Sequence, residues 1–487
     1  MKNKIFLMLL IVLSNCQDAL AQQVINASVH DIINTAQSES PNYLLAKTRE
    51  NNSYWRYISA KSNFKPQLSL NATIPSLNRS ISSITLPDGS QAFVNRSFMT
   101  NTIGLNLRQV VSKTGGSVFV ATDLQRLDVF KTDNQVSNQS YLSTPISIGI
   151  NQPIMRFNPY KWDKKSLELE YNASKKKYVE EKERLSFDAV NYFFDLYISN
   201  LSLLEAERNK KYLDSIAINS SGRFSMGRIS ETDLLQIQLS AKNADGRLAS
   251  LALEVQNKSE KLRDFLGIEN KVIFNFSKPN KLTIYTIDKT KALEYAYNNR
   301  SLTEEFRLRQ LEAERNVDRS IKDNGPNLRL NGSFGLTQSG QNFIDAYSTF
   351  NDQERISLSI DIPIADFGRS KAEKEIAKSN LELTLLQLRQ DRISFERSIL
   401  VNIEQFELKK NQLQLADEAL EIAKKRLEIA KKRFNIGKID VTNLNIAISE
   451  EQAAQQKYYA SLWNLWQAHY VIRNLTLYDF ENDIPLE

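Results

Sequence analysis

Residues 433–444 read RFNIGKIDVTNL, and nearly the same motif, RFSMGRISETDL, stands at residues 223–234. Glycine is the usual left-handed residue at a helix end, and Ser230 and Asp440 follow it at a distance suited to capping the next helix. Each motif therefore predicts a tight hairpin of two antiparallel helices. Six of the twelve positions are identical at a constant offset of 210: Arg223/Arg433, Phe224/Phe434, Gly227/Gly437, Ile229/Ile439, Thr232/Thr442 and Leu234/Leu444.

Long stretches without helix breakers precede both motifs. They predict helices at 159–222 and 369–434, each about 95–100 Å long if unbroken. After the turns, helices are expected at 230–267 and 440–475. The second long helix carries an apolar seam spaced three then four, which is typical of a coiled coil: Leu413, Ala416, Leu420, Ala423, Leu427, Ala430 and Phe434.

Strict alternation of apolar and polar residues marks strands ahead of each long helix. FKPQLSLNATI at 64–74 and GPNLRLNGSFGL at 325–336 show it, as do ISIGINQPI at 146–154 and ISLSIDIPI at 356–364. This pattern predicts strands with one apolar and one polar face. We expect them at about 65–155 in the first half of the chain and at about 326–364 in the second.

The two halves are expected to be tandem repeats that differ by one insert. ISIGINQPI and ISLSIDIPI are 210 residues apart, like the turn motifs, whereas Pro66 and Pro326 are 260 apart. The difference predicts about 50 extra residues in the first repeat, at about 78–140, and two stretches of this insert also look like strands. The sequence leaves open whether the insert forms an external plug-like loop or extends the first hairpin.

The chain divides into four segments on these patterns. A signal peptide is expected at 1–21, a first repeat at 22–267, a second repeat at 268–475 and a C-terminal tail at 476–487. The signal peptide has an early lysine pair, an apolar run and an Ala-Leu-Ala cleavage site. Its Cys16, the only cysteine of the chain, is also a conceivable lipid attachment site, and the sequence leaves that open.

Composition excludes several classes of function. No later apolar run approaches the length of a membrane-spanning helix, and nucleic acid is not an expected partner of an exported chain with a mild positive charge. The two histidines, His30 and His469, are isolated, and no catalytic or metal-binding motif occurs. We expect no enzymatic activity, no cofactor and no metal.

Counting strands suggests how the chain would assemble. Two strongly alternating strands in each half make four per chain, with the insert offering a further pair. A closed membrane barrel needs at least eight strands, so one chain cannot close it, whereas three chains would supply twelve. The expected fold class is an α+β membrane protein that forms a conduit with long helices.

Two passages lead from a strand into a long helix: NQPIMRFNPYKWDKKSLELE at 151–170 and DIPIADFGRSKAEKEIAKS at 361–379. Together with the repeats and the hairpin tips, these passages resemble the TolC family of outer-membrane efflux factors. The resemblance covers essentially the whole mature chain. It implies a homotrimer with a twelve-stranded outer-membrane β-barrel that continues into a long periplasmic α-helical coiled-coil barrel. A belt of mixed structure would then correspond to 270–298 and to the segment after Leu475.

The resemblance also implies a function. Such proteins are the outer-membrane exit ducts of tripartite efflux or type I secretion systems. They dock a periplasmic adaptor (membrane fusion) protein, itself linked to an inner-membrane pump, through their hairpin tips. Carried over to this chain, the docking residues would be Arg223, Phe224, Met226, Gly227, Arg228 and Ile229, with Arg433, Phe434, Ile436, Gly437, Lys438 and Ile439 in the second tip.

Some relatives narrow the closed tip with a ring of aspartates. Here Asn443 stands at the corresponding place in the second repeat and Asp233 in the first, so both are candidate aperture residues. Asp233 is equally expected to cap its helix. The alternative function is an exported coiled-coil scaffold or adhesin-like stalk, which would explain the helices but not the amphipathic strands. The sequence does not identify the cargo.

Overall fold

The computed structural model describes residues 23–130, 136–282 and 285–486. The predicted signal peptide and Cys16 lie outside these residues. The described chain divides into two compact units. One takes residues up to Asn51 together with Ser174–Ser301 and Arg392–Glu487, and the other takes Asn52–Ala173 and Leu302–Asp391.

Eight α-helices are found in the described residues: α1 Val29–Ser38, α2 Pro41–Ser62, α3 Pro159–Ser225, α4 Glu231–Leu266, α5 Lys289–Asn299, α6 Ser301–Asp323, α7 Arg369–Asn435 and α8 Val441–Thr476. The long helices α3 and α7 both have 67 residues, and α4 and α8 both have 36. Each pair starts 210 residues apart, at 159 and 369 and at 231 and 441. Helix α3 runs past Gly222, its expected end. Of the two glycines near this end, Gly222 keeps helical backbone and Gly227 has a positive φ.

Ten strands complete the described elements: β1 Gln23–Ala27, β2 Gln67–Thr85, β3 Gln91–Val111, β4 Gly116–Phe130, β5 Val136–Ile154, β6 Val272–Phe276, β7 Asn327–Gly340, β8 Asn351–Asp361, β9 Tyr478–Asp479 and β10 Ile484–Pro485. Six of them form one antiparallel sheet in the order β2-β3-β4-β5-β7-β8. Strand β5 of the first half pairs with β7 of the second from Ile154↔Leu328 to Tyr141↔Gly340.

This sheet corrects the strand count made from the sequence. Four strands per chain were expected, with the insert's pair as an addition, and the structure has that pair, β3 and β4, inside the sheet between β2 and β5. In the described residues the insert is therefore not a plug-like loop, because it extends the first half's strands into a four-stranded part of the sheet. A twelve-stranded barrel from three chains no longer follows, because it assumed four strands from each.

The unit that includes Ser174–Ser301 and Arg392–Glu487 is built around helices α3, α4, α7 and α8. Its most deeply buried side chains are aromatic and aliphatic, and they include Phe193, Phe194, Leu462, Trp466 and Ile472, each at most 2% exposed. Burying such side chains is the main favourable term in folding, at about 25 cal/mol per Å² of apolar area.

Short strands and a helix occur in the segments for which mixed structure was expected. Strand β6 pairs in parallel with β1, and α5, which follows it, covers Lys289–Asn299 and so ends one residue beyond the predicted 270–298 segment. After α8, β9 pairs with β10. The partly buried Arg473 of α8 joins α3 to β9, because its guanidinium donates to Glu183 at 2.9 Å and also to Asp479.

Candidate functional site

The two hairpin tips share one backbone geometry. Gly227 and Gly437 have φ of +68° and +75°, in the left-handed region that favours glycine. The amide of Arg228 donates to the carbonyl of Arg223 at 2.8 Å, and that of Lys438 donates to Arg433 at 2.9 Å. The glycine amides donate three residues back, to Phe224 and Phe434, at 2.8 and 2.9 Å. Together these bonds form the same Schellman motif twice, which satisfies the last carbonyls of α3 and α7.

The helices that follow the tips are capped by side chains. Ser230 and Asp233 bond reciprocally: the Asp233 amide donates to Ser230 Oγ at 3.1 Å, and Ser230 donates from N and Oγ to the Asp233 carboxylate. Asp440 accepts from the amide and the side-chain nitrogen of Asn443, both at 2.8 Å. Both candidate aperture residues, Asp233 and Asn443, therefore contribute to the helix starts.

An apolar side chain is exposed at the centre of each tip. Met226 is 62% exposed and Ile436 is 66% exposed. The cations Arg228 and Lys438 are exposed beside them, and neither forms an ion pair within the described part of the chain. Each tip thus presents an exposed apolar side chain next to a positive charge without an ion pair.

A buried cluster supports the tips from behind. It consists of Ile216, Ile237, Ala430, Val441, Leu444, Ala447 and Ile448, with partly buried neighbours that include Phe434 and Ile439. Two of the predicted docking residues, Phe434 and Ile439, therefore also hold the hairpin together. Their first-repeat counterparts are not in this cluster, and Phe224 is 40% exposed.

Polar contacts join the two hairpins along α4 and α8. Gln236 donates to Thr442 Oγ1 at 3.3 Å, and Arg247 donates to Gln452 at the same distance. Within the first hairpin, Lys210 lies 2.7 Å from Asp214 and 2.8 Å from Asp245, and hydrogen bonds to these carboxylates raise its pKa to about 12. The structure therefore brings together two tips that are 210 residues apart in sequence.

One of the two histidines that the sequence analysis found isolated, His469, has a structural role. His469 is 2% exposed, and its Nδ1 lies 2.8 Å from the hydroxyl of Tyr285. Burial lowers the pKa of His469 to about 3, so the ring is neutral and packed near neutral pH. Sequence reasoning could not find this contact, because the two residues are 184 positions apart.

The described residues have neither a cluster of metal ligands nor an apolar helix of membrane-spanning length. No group of three or more histidine, cysteine, aspartate or glutamate side chains there could hold a metal ion. Among the helices of the same residues, none combines the length and apolar character needed to cross a membrane.

Comparison with known proteins gives a family match and a fold match. The model of the outer membrane efflux protein family matches residues 293–475. No curated protein matches the chain in sequence.

Solved outer-membrane proteins share the fold at low sequence identity. VceC from Vibrio cholerae has a TM-score of 0.65 at 13% identity, covering 92% of this chain and 95% of its own. The CmeC outer membrane channel of Campylobacter jejuni has a TM-score of 0.65 at 15% identity, with coverages of 92% and 85%. The open state of the Neisseria gonorrhoeae MtrE outer membrane channel has a TM-score of 0.60 at 13% identity, with coverages of 92% and 88%.

These matches bear on different parts of the chain. The family match lies entirely in the second half, from within α5 to the last turn of α8, and the fold match spans both halves. The resemblance inferred from the repeated turns is therefore confirmed: residues 293–475 match the outer membrane efflux protein family in sequence, and 92% of the chain shares the fold of VceC.

Proposed function

We propose that the chain is the protomer of a homotrimeric outer-membrane exit duct that serves a tripartite efflux or type I secretion system. Its strands would face outer-membrane lipid, and its long helices would extend into the periplasm as an α-helical barrel. Its hairpin tips would dock a periplasmic adaptor protein, which in turn engages an inner-membrane pump. No cofactor is required, because a duct lets its cargo pass without chemical change.

The observation that carries this proposal is the duplicated tip. A helix can be ended in many ways, yet the same Schellman motif, an exposed apolar side chain and an unpaired cation occur at both Gly227 and Gly437. Repeated copies of one partner would need two equivalent surfaces on each protomer. The equal lengths of α3 and α7 and of α4 and α8 support a tandem repeat as the origin of both surfaces.

The chemistry of the tips indicates what the adaptor must offer. Met226 and Ile436 would enter apolar pockets, and Arg228 and Lys438 would meet acidic or carbonyl oxygens. Exposed apolar side chains ringed by polar groups are typical of protein-protein contacts, and residues at the centre of such a contact contribute most of its affinity.

The tips would also define the aperture of the duct. Asp233 lies in the first turn of α4 at the place where relatives carry acidic rings in the second repeat. Its carboxylate accepts hydrogen bonds from Ser230, so the same charge caps the helix and would face the aperture in three copies. Asn443 would occupy the equivalent position without charge.

Charge reversal at both tips tests the docking role. The double variant Arg228→Glu/Lys438→Glu should abolish export, because two attractive contacts become repulsive. A matched control is Lys211→Glu/Lys425→Glu, since both lysines are exposed on the same long helices but lie away from the tips. The control should export normally, and unchanged export by the tip variant would contradict the docking role.

The mass of the extracted protein tests the duct itself. Light scattering of the detergent-solubilised protein from the outer-membrane fraction, corrected for bound detergent, should give three chains. A water-soluble monomer or dimer would instead favour the scaffold or stalk. The tip variant and its control should both keep the trimer, which separates a docking defect from misassembly.

A further inference from the structure

The repeat pattern would lead one to expect that β2 pairs directly with β5. The inserted strands β3 and β4 lie between them instead. In the second half, β7 and β8 pair directly, but in the first half β2 pairs only with β3, and β5 pairs with β4 and β7. The β2–β3 register runs from Gln67↔Arg108 to Thr85↔Gln91, and β4 and β5 pair from Ser117↔Asn151 onward. The insert is thus built into the sheet over most of its length.

The inserted strands continue the apolar face of their neighbours. Successive cross-strand partners place one apolar side chain on each of five strands, all of them between 38% and 69% exposed: Leu68, Leu107, Val120, Ile148 and Phe334. A second row passes from Val118 through Ile150 and Gly332 to Ile356. The two rows together place apolar side chains on all six strands, although Glu354 of β8 is the partner of Phe334 and Gln109 of β3 is the partner of Val118. Such an exposed, largely apolar face fits contact with lipid acyl chains.

The opposite face is polar on the same strands. Asn106 and Arg108 of β3 lie on it beside Ser69 and Gln67 of β2. Asp123 of β4 lies on it as well, across from Gly104, where a Cβ would come within 1.9 Å of the Asp123 carboxylate. The inserted pair therefore has the two-faced character of a barrel wall that separates lipid from water.

The turn between β3 and β4 is anchored at the end of the sheet where the helices begin. Asn158, just before α3, donates from Nδ2 to the carbonyls of Ser112 and Lys113 at 2.9 and 3.2 Å. Gln152 donates to Thr114 at 3.0 Å, and Gln109 donates to Phe64 at 2.8 Å. These contacts hold the inserted hairpin level with its neighbours, as a wall strand pair requires.

The two outer edges of the sheet, β2 and β8, are not paired with each other in the described chain and are suited to pair between copies. With six antiparallel strands, β2 and β8 run in opposite directions, so β8 of one copy can extend an antiparallel sheet at β2 of the next. Both edge strands alternate apolar and polar residues from the same end, with Leu68 and Leu70 on one and Ile360 and Leu358 on the other. An unpaired edge cannot persist in lipid, and β8 and most of β2 are exposed along their length.

We propose that the inserted hairpin is part of the membrane wall, so that three copies of this chain close an eighteen-stranded barrel with six strands from each. This inference rests on the proposed trimeric duct and changes its strand number from the twelve that the family resemblance implies. Because barrel diameter grows roughly linearly with strand number, the exit would be about one and a half times as wide. A barrel of this size leaves an aqueous channel, which suits a wide or bulky cargo.

Disulfide cross-linking distinguishes an eighteen-stranded wall from a twelve-stranded wall. The only cysteine, Cys16, lies in the predicted signal peptide, so introduced pairs would be the only thiols of the mature chain. Ala121 of β4 and Ser147 of β5 are direct partners, and opposite residues of antiparallel strands are close enough for a disulfide. Ala121→Cys/Ser147→Cys should therefore form an intrachain disulfide, detected by mass spectrometry of the linked peptide.

The matched pairs combine Ser147→Cys with Ser69→Cys, Asn71→Cys or Thr73→Cys, all on the polar face of β2. In the eighteen-stranded wall, β2 and β5 are three strand spacings apart, roughly 14 Å, so no disulfide should form. In a twelve-stranded wall β2 would lie beside β5, and one of these pairs should link while Ala121→Cys/Ser147→Cys should not.

A strand count completes the test. Electron cryo-microscopy of the wild-type trimer in lipid nanodiscs should show eighteen strands in cross-section. A trimer with twelve strands, or with β2 linked to β5, would overturn this inference and leave the proposed duct intact. A water-soluble monomer or dimer in the light-scattering measurement would overturn both.

Discussion

The two hairpin tips have the same backbone but different support. At both tips the amide-to-carbonyl distances agree within 0.1 Å, whereas the side chains behind them are buried unequally. Leu444 is 1% exposed and belongs to the cluster behind the tips, while Leu234, its counterpart 210 residues earlier, is 9% exposed. The repeated motif thus preserves the turn and the outer surface, and the packing beneath it has diverged.

This difference separates two reasons for repeating a residue. The glycines and caps are needed wherever the chain makes this turn, because they satisfy backbone groups locally. Phe434 and Ile439 have an additional role, since they contact the buried cluster. Phe224 is exposed, so its retention is better explained by the proposed docking surface.

The largest expected effect is at the buried leucine of the second tip. Leu444→Ala should destabilise the second hairpin by about 3 kcal/mol, because it leaves a cavity in the cluster. Leu234→Ala, at the same position of the first repeat, should cost distinctly less. Hydrogen exchange of the amides around 427–448 and 217–238 measures both local opening free energies. An equal loss of stability in the two variants, or a larger loss in Leu234→Ala, would contradict the difference in packing between the two tips.

The repeated phenylalanines should separate stability from docking. Phe434→Ala should cost about 2 kcal/mol in local stability, since the ring is only partly buried. Phe224→Ala should change local stability by less than about 0.5 kcal/mol but weaken adaptor binding. Calorimetry with the purified adaptor, alongside hydrogen exchange, gives the two readouts; a comparable loss of stability in both variants would remove the distinction.

Substitution of the two glycines tests whether the shared backbone conformation contributes equally to the stability of both tips. Gly227→Ala and Gly437→Ala should each cost about 1–2 kcal/mol, because an L side chain is disfavoured at positive φ. No heavy atom lies within 4 Å of either added Cβ, so the expected cost is conformational and should be the same at both tips. Gly→Asn at each site is the control and should cost less, since asparagine tolerates this conformation; a large difference between the two alanine variants would show that the tips are strained differently.

The smallest effects are expected at the helix caps. Ser230→Ala and Asp440→Ala should each cost about 1 kcal/mol, because each removes the acceptor for an orphan amide of the first helical turn. Ser230→Thr and Asp440→Asn, which keep an acceptor, should be close to wild type. Hydrogen exchange at Asp233 and Asn443 reports the loss directly, and protection that survives the alanine substitutions would mean that another group caps these helices.

Much of the helical part could be predicted from the sequence. The absence of proline and glycine, the positions of Gly227 and Gly437 and the capping residues Ser230 and Asp440 all act on residues within one or two turns. Helix bounds in the structure differ from the expected ones by at most three residues, at Ser225. The positions of the tips and their exposed residues are equally local features.

The sheet and the packing were less predictable. Alternation in the insert indicated strands, but it could not say that β3 would pair with β2 and β4 with β5, because many neighbours satisfy the same pattern. The role of Phe434 in the cluster and the contact of His469 with Tyr285 depend on residues far away in sequence. No local pattern reports such contacts.

The amino-acid sequence was therefore sufficient to predict the repeated hairpins, their caps, the two-faced strands and the resemblance to outer-membrane efflux proteins. These features follow from hydrogen bonds and side-chain periodicity among residues close together in the chain. The place of the insert within the sheet and the buried cluster behind the second tip are visible in the folded chain alone. Both depend on which distant segments meet, and that choice is made by the packing of the whole unit, where long-range strand pairing and apolar burial compete.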